Sequence, residues 1–369
     1  MSISKVLLIS TGGTISGEVA QTIREEEVIR PAKEFIGLMK SALTSIKNVH
    51  GIEVIIDHIP ICNIDSSYIL PKHWIKLSNT IKKNYDKYDS FIITHGTNTL
   101  GYTCAALSYA FANLGKPVIL TGSQVPAGMP GSDAIINLEN ALRLSAIPFD
   151  DFKIMGVLAV FGSHIISGTR VKKDTEFDYD AFKSHNQGSL GRIGRIIDID
   201  KINMEKHNAY LKTNKFSFAK KAKKLICENK FETRIVSLTE FPGMNPDIFE
   251  TLVDKHDIKG FILRSFGAGD PSKYLLPGFK FLKGRGIPLV ITSQAPNGNS
   301  NFQVNAPGVH LKENDLAIPA YDMSIEAITA KLAWLLGKDG KNKLSYDEIC
   351  STMVNDIRGA INVIWEVKM

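Results

Sequence analysis

Hydroxyl-bearing side chains gather at three places where an apolar run stops. Thr11-Gly12-Gly13-Thr14 follows the run 6–9, His95-Gly96-Thr97-Asn98-Thr99 follows SFIIT at 90–94, and Ser66-Ser67 follows Asp65. A threonine or serine held in a tight loop is a candidate nucleophile, with loop amides placed to stabilise an oxyanion. Paired glycines suit that arrangement, because they let the backbone approach a ligand closely. For the first stretch alone, a phosphate loop and a plain turn are the competing readings. Its glycine spacing does not fit the dinucleotide fingerprint, and no Gly-Lys-Ser/Thr follows. Neither GxSxG nor HExxH occurs, which argues against serine-esterase and zinc-protease chemistry. His95 reads either as a base or as a structural histidine in a strand-end turn; the second is the commoner case.

Such loops act together only if the fold gathers them. The first two hundred residues alternate short apolar runs with helical periods. Strands are expected at 6–9, 52–56, 90–94, 117–121 and 154–160. Helices are expected at 71–85, with Trp74, Ile75, Leu77 and Ile81 on one side, and from the 95–99 loop to Leu114, with Gly115 as C-cap. Ser132 is placed to cap a third helix carrying Ile135, Leu138 and Leu142. This β-α-β-α rhythm predicts a parallel sheet covered by helices. Its carboxyl edge would carry the polar loops, where open α/β sheets hold ligands.

The segment 201–232 breaks the rhythm and reads as a lysine-rich linker. It holds nine lysines and two glutamates between 201 and 230, a local charge of +7 that leaves −1 for the rest of the chain. Such a patch attracts nucleic acid or an anionic surface, but it contains no arginine and reads more simply as solvated. From Thr233 the rhythm resumes, with strands at 234–238, 260–263 and 287–292 and helices at 246–255, 273–282, 323–336 and 345–358. The expected architecture is α/β: a larger N-terminal domain (1–200) with a mostly parallel sheet flanked by helices, then a smaller C-terminal α/β domain (233–369).

With 369 residues, 44% hydrophobic and 22% charged, the composition is that of a globular protein of two domains. No apolar stretch is long enough to span a bilayer. The amino terminus shows no apolar region followed by a cleavage site, so no signal peptide is read. Cys62, Cys104, Cys227 and Cys350 form no CxxC pair. They point to reduced thiols in a cytoplasm rather than to zinc or a disulfide framework.

The motifs also carry a resemblance. TGGTIS (11–16), THGTNTLGYT (94–103), KPVILTGSQ (116–124) and SDAIINLENA (132–141) resemble the asparaginase/glutaminase family, most closely its cytoplasmic type I branch. The likeness continues through ILRSFGAGD (262–270), DMSIEAITAKLAWLL (322–336) and IRGA (357–360). It implies a two-domain α/β amidohydrolase that splits the side-chain amide of asparagine, or a related small amide, through an acyl-threonine. No metal or organic cofactor is implied. Thr14 matches the family's nucleophile, Thr97 its second catalytic threonine, and Lys173 the lysine paired with it. Ser66 matches the serine that holds the substrate α-carboxylate. Sites of this family are built across subunits, so a homodimer or homotetramer is implied.

Three departures stand out against that resemblance. The family's HGT-Asp-T here reads His95-Gly96-Thr97-Asn98-Thr99, so a carboxylate facing the substrate ammonium and the lysine is replaced by an amide. Loss of that anion is expected to lower the pKa of Lys173. The family's GxGN reads GAGD, which places Asp270 where an asparagine from the neighbouring subunit approaches the same ammonium. Asn98 and Asp270 thus look like an exchange of amide and carboxylate. Finally, the lid tyrosine is missing; the run Arg24-Glu25-Glu26-Glu27 stands there, with Arg24 and Arg30 as candidates to meet an anionic group. Where the type I branch has a sensing cysteine stands Ala295, so no such regulation is expected. Two other functions remain open: a non-catalytic amino-acid-binding or interaction homologue, and the ammonia-supplying subunit of a tRNA-dependent amidotransferase. The latter carries an additional amino-terminal domain and is the weaker of the two.

Overall fold

The unbroken apolar run of the first strand dictates a sheet covered on both faces. In a computed structural model, which describes residues 2–13, 36–148, 153–212 and 224–362, this strand is β1 (Ser2–Ser10). Val6 and Leu8 point to one layer, packing with Met39, Ile46, Leu138 and Leu142. Leu7 and Ile9 point to the other, with Leu77, Ile81, Cys104 and Leu107. A strand buried on both sides must be apolar at every position, which is why 6–9 shows no period of two.

The chain divides into two compact units, residues 1–184 with 188–229, and residues 185–187 with 230–369. The first unit holds β2 (Ile52–Pro60), β3 (Ser90–Thr94), β4 (Phe111–Ala112), β5 (Pro117–Thr121), β6 (Gly156–Phe161), β7 (His164–Ser167), β8 (Val171–Lys173), β9 (Phe182–Ser184), β10 (Gly191–Ile193), β11 (Ile197–Ile199) and β12 (Ile226–Cys227). Its main sheet runs β11-β10-β7-β6-β5-β3-β1-β2. The five strands from β6 to β2 are parallel, and the chain then reverses at Gly162-Ser163 to add β7, β10 and β11 antiparallel. Helices Lys40–His50, Pro71–Asn84, Leu100–Ala110 and Ala134–Ala146 supply the covering layers.

Several elements differ from their sequence-based bounds. The helix expected to reach Leu114 stops at Ala110, because Phe111 and Ala112 leave it to pair with β12. Gly115 is therefore no C-cap; its N–H donates to the Tyr85 hydroxyl at 2.8 Å. The final helix, expected to reach Arg358, covers only Tyr346–Val354. The third helix has Asp133, not Ser132, at its N-cap; the Ser132 Oγ still accepts the Ala134 N–H at 3.1 Å, and Ile135 on that helix is 43% exposed. In the lysine-rich segment, Lys201–Lys212 is a helix that buries Met204 and His207, so its start is packed structure rather than solvated chain.

The second unit has one parallel sheet, β13 (Ile235–Thr239), β14 (Gly260–Ser265), β15 (Leu289–Ser293) and β16 (Ile318–Pro319), in sequence order. Phe261, Leu263 and Ile291 pack with Phe249, Phe279 and Leu282 on one face. The helix Ile325–Leu336 opens on Ser324, whose hydroxyl accepts the Ala327 N–H. All four cysteines are thiols. Among the described residues, no helix is long and apolar enough to cross a membrane, and no cluster of His, Cys, Asp and Glu is arranged to hold a metal.

Candidate active site

Register places the polar loops of the first unit at one level. Ser10 lies opposite both Pro60 and Thr94, and Thr94 lies opposite Thr121. Four parallel strands therefore stop together, and the loops that follow them, 11–13, 61–67, 95–99 and 122–124, share one edge. Backbone hydrogen bonds sew the first three together. Thr11 N–H donates to Thr94 O, Ile64 N–H to Thr11 O, and Gly13 N–H to Ile64 O.

Glycine makes that closeness possible at two positions. Gly13 has φ +81°, and a Cβ there would come within 3.0 Å of the Gly96 backbone; a Cβ on Gly96 would in turn meet the Ser66 side chain. Only hydrogen fits between these loops. The amide of Gly13 is consumed by Ile64 O, so it is not the open oxyanion donor that the glycine pair suggests. Thr14 and the charged run 24–30 lie outside the described residues.

Thr97 and Lys173 come together. The Lys173 Nζ, at the end of β8, donates to Thr97 Oγ1 at 2.8 Å and reaches Asn98 Oδ1 at 3.5 Å. Thr97 is nearly buried, and Lys173 is half-buried. Burial lowers the Lys173 pKa, opposed by the charge of Glu176. The direction agrees with the expectation from the missing aspartate, but desolvation is the leading cause. An amine so placed gives up its proton more readily than an exposed lysine.

Ser66 lies beside this pair. Its Oγ accepts the Asn98 N–H at 3.1 Å, and its carbonyl accepts the Thr99 hydroxyl at 2.6 Å. Asp65 caps the short 3-10 turn Ser66–Tyr68, accepting the Ser67 N–H at 2.7 Å and the Ser67 hydroxyl at 2.6 Å. Those bonds, with a further one from the Asn98 side chain, lower the Asp65 pKa against a partial burial that raises it. A carboxylate ahead of two serines is an N-cap signal readable in the sequence, although the serines alone stand out there as site candidates.

His95 is no base. It is fully buried, and burial pushes its pKa down to about 4. Its Nδ1–H donates to Gly96 O at 2.7 Å, and its Nε2 accepts the Thr103 hydroxyl at 2.9 Å. Trp74 Nε1–H donates to that same hydroxyl at 3.1 Å. A neutral imidazole thus braces the 95–99 loop against two helices.

Asp270 belongs to the second unit. Its Oδ2 accepts Asn305 Nδ2 at 2.6 Å and the Ala268 N–H at 3.3 Å, while Oδ1 is buried with no partner among the described residues. Glu240 sits at the head of that edge. Buried to 2% exposure, it accepts the Ser265 hydroxyl and the Ser272 N–H, and so ties the two ends of the Asp270 loop. No sequence pattern marks Glu240.

Comparison with known proteins shows the family. The family model described as Asparaginase, N-terminal matches residues 5–208, and that described as Glutaminase/Asparaginase C-terminal domain matches 234–349. The chain is 31% identical to L-asparaginase 1 of Escherichia coli K12, covering 98% of this chain and 99% of that one. It is also 31% identical to a Glutamyl-tRNA(Gln) amidotransferase subunit of Sulfurisphaera tokodaii, over 97% of this chain and 75% of the other. Among solved structures, L-asparaginase I from Vibrio cholerae superposes with a TM-score of 0.78 at 30% identity, covering 98% of this chain and 100% of that one. The thermostable L-asparaginase from Thermococcus kodakarensis gives 0.79 at 28%, covering 97% and 99%. On its matched domains, its relatives and its one mostly parallel and one parallel sheet, the chain belongs to the asparaginase family.

Proposed function

We propose that this protein hydrolyses the side-chain amide of L-asparagine, or of a closely related small amide, to the acid and ammonia. The observation that carries the reading is the 2.8 Å contact between Lys173 Nζ and Thr97 Oγ1, with a lysine whose pKa is lowered by burial. Thr14 Oγ attacks the amide carbon, its proton passes to the leaving nitrogen, and ammonia departs from an acyl-threonine. Thr97, with Lys173 beside it, then takes a proton from the water that cleaves this ester, and a proton returns to the departing Thr14 oxygen. Ser66 binds the α-carboxylate. Its oxygen already accepts from Asn98 N–H, and its own hydrogen has no acceptor among the described residues. Asp270 of the partner subunit faces the α-ammonium, a role that suits a carboxylate with one fixed and one open oxygen. The protein is a homodimer or homotetramer acting in the cytoplasm, without a metal or organic cofactor.

Ammonia release over a panel of L-asparagine, L-glutamine, D-asparagine and asparaginyl peptides tests this. Turnover of L-asparagine that disappears in Thr14→Ala and Thr97→Val is the expected result. Saturable asparagine binding with no ammonia from any amide would instead identify a binding homologue. The likeness to the tRNA-linked amidotransferase favours one second reading, ammonia supply to a tRNA-dependent partner. Preference for glutamine, with salt-sensitive RNA binding through the 201–230 lysines, would mark that case.

A further inference from the structure

Thr97 and Lys173 meet across 2.8 Å, yet they stand on separate segments, so something must hold those segments in one frame. The connection between β5 and the helix Ala134–Ala146 touches both. At its start it is locked to the loop that carries Thr97: His95 N–H donates to Thr121 O at 2.8 Å, and a Cβ at Gly122 would come 2.3 Å from His95 O. Further on it holds the β8–β9 hairpin that carries Lys173. Gln124 Nε2 donates to Glu176 O at 2.7 Å and to Asp178 O at 3.3 Å, and the Tyr179 hydroxyl donates to Gly131 O at 2.6 Å. The hairpin is closed beneath these ties, since Lys173 pairs with Phe182 and Asp174 N–H donates to Ala181 O at 2.8 Å. A displacement of its tip is therefore passed to Lys173.

The connection is itself braced from within. The buried Asp133 carboxylate accepts the Gln124 N–H, the Val125 N–H and Asn137 Nδ2, each at 3.0 Å. Asn137, also buried, donates from Nδ2 to Gly122 O at 2.9 Å. These charge-assisted and buried bonds fix the backbone at the root of the Gln124 side chain. We propose that the connection after β5 is the common frame of the Thr97–Lys173 pair, and that Gln124 is a positioning residue that sets Lys173 against Thr97 through the carbonyls of the hairpin tip. A misplacement of about 1 Å between reacting groups can cost about a hundredfold in rate, so a tie remote from the chemistry governs it. The same tie places Glu176, whose carbonyl it holds. This inference deepens the amidohydrolase reading above and rests on it.

The variant Gln124→Glu tests the tie at constant side-chain size. At about pH 8 it sets a carboxylate, which only accepts, against two carbonyl oxygens. In ammonia release from L-asparagine, kcat should fall about ten- to a hundredfold while KM stays within about threefold, because Ser66 lies on another loop. Amide hydrogen exchange at Asp174 should quicken about fivefold or more, with β3 and β5 exchanging as in the parent. Tyr179→Phe removes only a hydroxyl and should move both readouts in the same direction by about two- to fivefold, so it carries the test if Gln124→Glu does not fold. Unaltered kcat or unaltered Asp174 exchange in the folded variants would overturn the inference, as would a raised KM at constant kcat. Should the parent release no ammonia from any amide, the amidohydrolase reading falls, and the exchange at Asp174 still decides whether Gln124 holds the hairpin.

Discussion

The carboxyl edges of the parallel strands in the two units are assembled from similar parts. In the first unit, serines and threonines follow four strands that stop level. In the second, Ser265 and Ser293 end neighbouring strands, and Glu240 and Asp270 lie in the loops that follow. The difference lies in what the polar groups are bonded to. At the second edge they bond inward: Ser265 to Glu240, Ser293 to Gly267 O, Gln294 Nε2 to Glu240 O. These bonds hold loops in place and leave one buried oxygen of Asp270 with no partner among the described residues. At the first edge an amine of lowered pKa touches a hydroxyl, the pair to which the proposed reaction assigns proton transfer. Polar strand ends make a binding surface; a titratable group with its pKa displaced toward neutrality makes a reactive one.

The largest test of that distinction is a pair of substitutions. Lys173→Met should lower kcat by about 10²- to 10⁴-fold, the range for loss of a general base. Glu240→Gln keeps an acceptor for the Ser272 N–H and turns the Ser265 hydroxyl from donor to acceptor, so it should raise KM by a few-fold while kcat stays within about threefold. Steady-state ammonia release separates the two; equal losses of kcat would erase the contrast.

Backbone closeness gives a second, smaller contrast. Alanine at Gly13 meets the Gly96 backbone, whereas alanine at Gly269 meets the Ser300 side chain, which has rotamers to spare. Both glycines have positive φ, worth about 1–3 kcal/mol of strain for another residue. Urea unfolding should therefore show Gly13→Ala as the more destabilised, with the greater loss of activity. A smaller loss at Gly13 would mean that the loops of the first edge tolerate separation.

Buried bases divide the units by pH. His95 and His207, in the first, are held neutral to about pH 4 against an ordinary 6.5. Unfolded chain takes up protons that the folded chain refuses, so stability falls as pH drops from about 6.5 toward 4. Lys331, in the second, is buried with a pKa of about 7 against 10.5, its Nζ donating to Met353 O and Asn355 O. Here the unfolded state binds the extra proton above pH 7, so stability rises with pH from about 7 upward, by at most roughly 1.4 kcal/mol per unit. Thermal unfolding should show that rise between pH 7 and 9 in the parent and a flatter profile in Lys331→Met. An unaltered slope in the variant would remove Lys331 as its source.

Much of this was readable in the sequence, for physical reasons. β3 and β5 match their expected bounds, because SFIIT and PVILT are buried on both faces and are bounded by loop residues. Thr97, Lys173, Asn98 and Ser66, which the motif resemblance singles out, are joined by hydrogen bonds, while Thr14 lies outside the described residues. What escaped was set by tertiary partners. Phe111 and Ala112 continue a helical pattern, and only the distant Ile226 and Cys227 draw them into a strand. The start of the lysine-rich segment looked solvated because its charge outweighs the three residues, Met204, His207 and Asn208, that it buries. Asp65 and Glu240 carry no periodic signal at all, since their partners are loop amides and hydroxyls.

The level ends of β1, β2, β3 and β5 have one more consequence, for anyone recombining this chain with its relatives. Those strands act as a ruler, and a crossover that adds or drops a single residue inside one of them turns every following side chain to the opposite face of the sheet. It would also carry Ser10 or Thr94 away from the level it shares with its neighbours. Splice points belong in the connecting segments on the opposite rim, such as the turn at Gly51, where a length change leaves the measure intact.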